Sequence, residues 1–444
     1  MTSAKTEKLQ RTFFAFFGIT TIRALTAVSQ VVIIAVASTL FGKDEFGRFV
    51  ICYALARLLQ AGSGLGAQSY LLKDIPYRQV YGHPWHSVRT TALFFVVGPL
   101  VICILAGVIF ERLAVNNVFF YPLLTGQGAS VAFFAFFWTI QVTLAAYVRA
   151  LRSSSEAMFL SELTAPLTLL LAMGVGAWRG ELSVIWLLTS AGLMLLLVEL
   201  MMLGWHAWKS WMPVGGPCGE SVSFKELRAY WGTVMLNTMS SQIDIVLAGV
   251  VLSPASIGLY AVIKRVANVT TFAVSVVVWM YAPKVSRASA ANNISALSCI
   301  ARRSIQFTLG AGVIILMLLL VFLPWWTSFF EIAKDETFWV LLVLMLGGQM
   351  LSVSLGTTVM FATQTGHPQI MVKSLSIAVA VVAPLILIAG SMFGVIGVAA
   401  TQLLMVFLMK WPVRRYLLSQ RGLDVSLTVL FRTSFKGDSH AAND

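Results

Sequence analysis

Charge is what this chain has least of. Only 11% of its 444 residues are Asp, Glu, Lys or Arg, against 58% hydrophobic, and the acids number 18 to 31 bases. A soluble protein of this length cannot bury so much apolar surface, so a water-soluble enzyme or binding domain is excluded. The chain reads as an all-α polytopic membrane protein. Cysteine is sparse as well: Cys52, Cys103, Cys218 and Cys299 are scattered with no CxxC pair, which excludes a disulfide framework and a metal site. His83 and His86, in HPWH, read as a solvated turn rather than metal ligands. There is no GxxxxGK[ST], so this chain does not hydrolyse ATP. No cluster of acids falls on an outward loop, which counts against an integral-membrane glycosyltransferase or polymerase. The net charge of +13 would raise the question of nucleic acid in a soluble chain; here the bases lie between apolar runs, and nucleic acid is not an expected partner.

What is present is apolar helix, with a mean hydropathy of +0.84. At about 20 residues per span, the sequence predicts twelve: about 13–40, 47–72, 89–110, 122–147, 157–178, 182–206, 230–252, 257–282, 305–326, 338–362, 373–391 and 394–412. The first is too long for the core of a signal peptide and reads as uncleaved. Sorting Lys and Arg by this scheme puts twenty-two on the side of the termini and five on the other, with Arg23, Arg57, Lys264 and Arg265 inside spans. The positive-inside rule then places both termini in the cytoplasm. The longest inward connection, with Pro213, Gly215, Gly216, Pro217 and Gly219, reads as a linker at 211–229 between an N-terminal lobe (1–210) and a C-terminal lobe (230–413), followed by a cytoplasmic tail (414–444). That tail is basic and then polar, and predicts an interfacial segment followed by disorder. FGRF (Phe46–Phe49) and IGLY (Ile257–Tyr260) open the second and eighth spans at an offset of 211, and RSSSEAMF and TGHPQIMV stand 213 apart. These are parallel six-helix repeats about an axis along the membrane normal.

The polar residues inside the spans are the functional candidates. Arg23, Thr26 and Gln30 recur at helical spacing in the first span; Arg57, Gln60 and Gly64 do so in the second. Asn237, Ser241 and Asp244 mark the seventh, and Lys264, Asn268 and Thr271 the eighth. Asp244 lies about ten residues before the Ser253-Pro254 turn, and Lys264 and Arg265 about ten after it, so at roughly 1.5 Å per residue all three share a depth. A charge at the centre of a span costs on the order of 3 kcal/mol and normally faces a partner or water. Facing stripes would line a polar cavity with net positive charge, suited to an anionic head group because phosphate pairs with Arg bidentately and with Lys as a point charge. Asp244 with Lys264 or Arg265 is equally readable as a structural ion pair, and Arg265 as a snorkelling side chain. Glu162 and Glu199, in the cytoplasmic third of the fifth and sixth spans, read as interface-exposed, with H+ or Na+ coupling as the sharper alternative. No other cofactor is called for.

FGKDEFGRFVICYALARLLQAGSGLGAQSYLLKDIP, the YVRALRSSSEA turn, and IDIVLAGVVLSPASIGLYAVIKRVANV leading to YAPKVSR resemble the polysaccharide (O-antigen type, Wzx-like) flippases of the multidrug/oligosaccharidyl-lipid/polysaccharide (MOP) superfamily. The resemblance implies a MATE-like, two-lobed, twelve-helix transporter and no enzyme. It would move undecaprenyl-pyrophosphate-linked sugar repeat units across the bacterial inner membrane by alternating access, with a polysaccharide polymerase and glycosyltransferases as partners in the pathway. It implies substrate-binding roles for Arg23, Arg57, Lys264 and Arg265, with Gln60 and Asn268 among the stripe residues that meet the glycan. The turn RSSSEA lacks the glycine many relatives place there. The multidrug branch often carries a carboxylate in its first helix where this chain has Arg23. A cation-coupled drug antiporter of the same fold is the alternative, and it would depend on Asp244 or Glu162.

Overall fold

The computed structural model describes residues 21–22, 25–68, 70–71, 84–115, 126–151, 154–180, 182–210 and 224–431, all helix and short connections. Arg23, His83, the side chain of His86, the 211–223 part of the linker and the tail beyond 431 lie outside the described residues. Among the described residues nine helices are long and apolar enough to cross a membrane, and the chain is a multi-pass membrane protein. One of the nine, Pro368–Arg421, is far too long for a single crossing at about 1.5 Å per residue. Its trace breaks at Gly394 (φ 60°, ψ −143°), at the boundary predicted between the last two spans. The shorter Leu25–Leu40 and the more charged Lys43–Ser63 occupy the first two predicted positions, so the helices accommodate twelve crossings.

The chain groups into two compact units, one made of Met1–Val266, Trp326–Lys334 and Ala383–Val398, the other of the intervening residues and the C-terminal segment. The first unit holds α1 (Leu25–Leu40), α2 (Lys43–Ser63), α3 (Pro84–Val115), α4 (Gly128–Leu151), α5 (Ser154–Met158), a π-helical turn (Phe159–Leu163), α6 (Thr164–Arg179), α7 (Val184–Ser210), α8 (Phe224–Val251) and α9 (Pro254–Asn268) up to Val266. Its centre is α2, whose Phe49, Ile51, Cys52 and Ala56 are wholly buried. Rings stack outward from it: Phe41 on Phe49, Phe49 on Tyr53, and Tyr53 on Trp138 of α4 with centroids 5.6 Å apart. Helix α2 packs along α8 and α4, and α4 along α3 and α7. The two glycines of the repeated motifs meet here. A Cβ on Gly47 would lie 1.9 Å from the carbonyl oxygen of Pro254, and one on Gly258 would lie 2.7 Å from the ring of Phe46. Glycine is needed because backbone meets backbone at this crossing.

The second unit contains the rest of α9, a 3₁₀ turn (Val269–Thr271), α10 (Phe272–Ala290), α11 (Ile294–Val321), the start of α12 (Leu323–Phe329), α13 (Glu336–Ser354), α14 (Thr358–Gln364) and the two ends of α15 (Pro368–Arg421). Side-chain caps open two of these helices: Asn293 accepts from Ala296 N, and Asp335 from Phe338 N. The predicted single span 338–362 is broken between α13 and α14. Gly356 takes φ 67° there, and a Cβ on it would sit 2.2 Å from the carbonyl oxygen of Val425. The C-terminal segment fills the break: Leu427 N donates to the freed Ser354 carbonyl at 2.8 Å. The segment 414–428 is therefore ordered and packed against this unit, and the polar end expected to be disordered lies outside the described residues. Helix α15 runs on to Arg421, and Leu423 and Val425 join a core with Phe361, Val285, Val413 and Leu417. The sequence masks this, because Leu423 and Val425 are single apolar residues set between Gly422, Asp424 and Ser426.

Candidate functional site

Three of the four intramembrane cations come together in the first unit, and the fourth, Arg23, lies outside the described residues. On α9, Tyr260 and Lys264 are four residues apart and share a face. Both reach Asp244 of α8, which is 0% exposed: the Tyr260 hydroxyl and the Lys264 ammonium donate to the same Oδ2, each at 2.5 Å. Lys264 also donates to the Ser241 carbonyl at 2.8 Å, one turn earlier on α8. This is the ion-pair arrangement among the alternatives the sequence left open. Both Asp244 donors fall on one oxygen; Oδ1 is buried with no hydrogen-bond partner.

Arg265, next to Lys264, points elsewhere. Its Nη1 donates to Gln30 Oε1 of α1 at 2.8 Å, and it lies within electrostatic reach of Tyr53, Arg57 and Asp244. Arg57, on α2, sets its guanidinium 5.2 Å from the centre of the Trp138 ring, a cation–π geometry. Among the described residues no acid is within salt-bridge distance of Arg57 or Arg265, and both remain partly exposed. The cluster thus holds three cations and one carboxylate, and the carboxylate is already taken by Lys264.

The other candidates separate. Gln60 is buried, and its carbonyl receives the Thr139 hydroxyl at 3.4 Å. Asn268 belongs to the second unit, where its Oδ1 accepts from Gln349 of α13 at 2.7 Å, a helix-to-helix bond. Glu162 sits half-buried in the π-helical turn. Glu199 corrects the expectation of interface exposure: it is 3% exposed, on the inward side of α7, while Leu197, Leu200 and Met201 face outward. Depth along a helix was readable from sequence, but the direction of the side chain was not.

Tyr260 and Trp138 were missed as site residues. Tyr260 had a signal, the i,i+4 spacing to Lys264 across a turn from Asp244. Trp138 had none, since it lies on a helix far from Arg57 in sequence. Lys410, counted by sequence among the bases on the side of the termini, is buried in α15, donating to the Ser352 carbonyl and hydroxyl at 2.8 Å and to the Gly356 carbonyl at 3.2 Å. It satisfies the carbonyls left open where α13 ends.

No family model matches the chain, and no curated protein does. Solved structures do. An inward-facing multidrug resistance MATE family transporter of the MOP superfamily is 12% identical over 91% of this chain and 98% of its own, with a TM-score of 0.64. The Vibrio cholerae MATE transporter VcmN, in its bent form, is 14% identical over 91% of this chain and 97% of its own, with a TM-score of 0.60. The lipid II flippase MurJ, in an inward closed conformation, is 14% identical over 93% of this chain and 90% of its own, with a TM-score of 0.61. The chain has the MATE-like fold that these transporters and this flippase share.

Proposed function

We propose that this protein is a flippase that carries undecaprenyl-pyrophosphate-linked oligosaccharide across the bacterial cytoplasmic membrane for surface polysaccharide synthesis, and that it catalyses no covalent chemistry. The observation that carries the reading is the cation cluster: Arg57 and Arg265 belong to helices read as membrane spans, and among the described residues neither has an acid within salt-bridge distance. Unpaired intramembrane guanidinium groups are costly unless water or an anion meets them. A pyrophosphate offers oxygens to both, bidentately to each planar fork. Lys264, tied to Asp244, contributes field rather than a free hand, and Gln30, which already meets Arg265, belongs to the polar lining that meets the glycan. The prenyl tail stays in lipid. Transport follows alternating access of two six-helix lobes, 1–210 and 230–413, about the linker near Gly215, with both termini in the cytoplasm. A polymerase and glycosyltransferases are its functional partners.

A second reading, cation-coupled export of cationic drugs, draws on the buried acids Asp244 and Glu199. It is weakened at Asp244, whose charge Lys264 already neutralises. The two readings part on one variant. In proteoliposomes loaded with lipid-linked oligosaccharide, Arg57→Ala is expected to reduce leaflet-resolved flipping by at least tenfold at unchanged protein level. Arg57→Lys should recover only part, because a point charge replaces a stacked planar fork. Undiminished flipping by Arg57→Ala removes Arg57 from the site, and flipping absent in the unaltered protein alongside dye export would favour the drug reading.

A further inference from the structure

The second buried acid does something the cation cluster does not use. Glu199 is 3% exposed on α7, and Gln141, on the neighbouring α4, is 1% exposed. Helices α4 and α7 pack along each other, and the Gln141 main chain is close enough to act electrostatically on the Glu199 carboxyl. Each side chain carries a buried oxygen with no hydrogen-bond partner: Oε1 of Glu199 and Oε1 of Gln141. Among the described residues, two acceptors in the same packed region therefore both lack a donor. An ionised carboxylate could not be held there unpaired, because burying a charge without a partner is far costlier than neutralising it.

We propose that Glu199 is a proton-binding site inside the membrane, holding its proton on Oε1 and sharing it with Gln141. One proton on the carboxyl supplies the donor that both oxygens lack. The charged and titratable groups on the elements packed against α7 do not take that role. They are Tyr147 and Arg149 on α4, Arg179 on α6, and Lys43, Asp44, Glu45, Arg48, Cys52, Tyr53 and Arg57 on α2, with Glu156 on α5 and Glu162 on the π-helical turn packed on α4 beside them. Among the described residues none forms an ion pair with Glu199. A metal ion fits poorly: among the described residues no three His, Cys, Asp or Glu side chains are grouped to hold one, and a hard cation needs several oxygens.

The same amide ties the proton to helix geometry. Gln141 Nε2 donates to the Leu160 carbonyl at 3.4 Å, inside the π-helical turn Phe159–Leu163. Such turns leave a backbone group without its usual partner and concentrate at functional sites. When Glu199 loses its proton, the carboxylate demands a donor. In this proposal the Gln141 side-chain amide supplies it and leaves the Leu160 carbonyl. Proton release is in this way linked to relaxation of the π-helical turn at the head of α6. The inference does not depend on the cargo.

The test is infrared difference spectroscopy of the full-length protein in lipid nanodiscs. At neutral pH the unaltered protein should show a carboxylic-acid carbonyl band that Glu199→Gln removes and Glu162→Gln leaves in place. Raising the pH should remove that band, and Gln141→Leu should keep it but shift its position. Should Glu199→Gln fold poorly, the Gln141→Leu shift and the pH titration of the unaltered protein decide the matter by themselves. The proposal is overturned if the band is absent at neutral pH, if Glu199→Gln leaves it intact, or if sodium rather than alkali removes it.

Discussion

At Asp244 two side chains divide between them what one carboxylate can offer. Oδ2 holds both Tyr260 and Lys264, and Asp244 and Tyr260 are sealed from water. Buried ion pairs add little net stability, but removing one partner strands the other, at a cost of about 3–5 kcal/mol. Lys264→Met is accordingly expected to destabilise the protein by about that amount. Adding Asp244→Asn should restore most of the loss, read as the melting transition of the detergent-purified protein in a double-mutant cycle. If the two effects simply add, the pair is not a unit. The charged members of this group were legible in sequence, because Asp244 and Lys264 sit equidistant from the Ser253-Pro254 turn and hairpin geometry brings equal depths together. The aromatic members were not, apart from the Tyr260 spacing. Trp138 meets Arg57 only through the packing of α2 on α4, which no local pattern records.

Helices were more legible than their interruptions. Hydropathy places a span over each long helix from α3 onward, but α11 begins at Ile294, eleven residues before its predicted start, and α15 runs to Arg421, nine past its predicted end; nor could hydropathy see the π-helical turn at Phe159–Leu163 or the break at Leu355–Thr357. Both are set by partners distant in the chain. At the break the partners are Lys410 and the C-terminal segment, and that segment is held by Asp424. Arg414 reaches the carboxylate with two nitrogens at 3.3 and 3.4 Å, Ser426 donates through its hydroxyl at 2.7 Å and its N–H at 3.1 Å, and Thr428 donates its hydroxyl. Burial alone would raise the Asp424 pKa, but the hydrogen bonds from Thr428, Ser426 and Arg414 outweigh it and hold the carboxyl below its ordinary value. A depressed carboxylate stabilises the folded form above the unfolded pKa and loses that contribution as pH falls through the folded one. The latch should therefore hold at neutral pH and down to roughly the ordinary aspartate value of about 3.9, and open below it. Asp424→Asn should open it at neutral pH, weakening it by about 1.5–3 kcal/mol, the usual worth of hydrogen bonds to a charged group. Hydrogen–deuterium exchange over 423–428 reports this directly. Unchanged exchange in the variant would mean that Leu423 and Val425 hold the segment by themselves.

For the whole molecule the decisive sequence signal was the unequal distribution of Lys and Arg between alternate loops. The folded chain qualifies it at Lys410, which is buried and so says nothing about sidedness. The remaining bases still favour the side of the termini, and two positions turn that asymmetry into an experiment. Cys299 is exposed near the start of α11, beside Arg302 and Arg303, whereas Cys52 and Cys103 are buried. Trp178 is 85% exposed at the other end of a crossing, next to Arg179 and the turn at Gly180. Thiols react from water only when accessible to it, so a membrane-impermeant maleimide reads out side and exposure together. In a Cys218→Ser background, Cys299 should be labelled in inverted vesicles and not in intact spheroplasts. Trp178→Cys, placed in a Cys299→Ser background, should show the opposite pattern. Labelling of both from one face would break the count of crossings between α6 and α11. Labelling of each from the unexpected face would keep the count and invert the protein, placing its termini outside and the excess of bases on the outer surface.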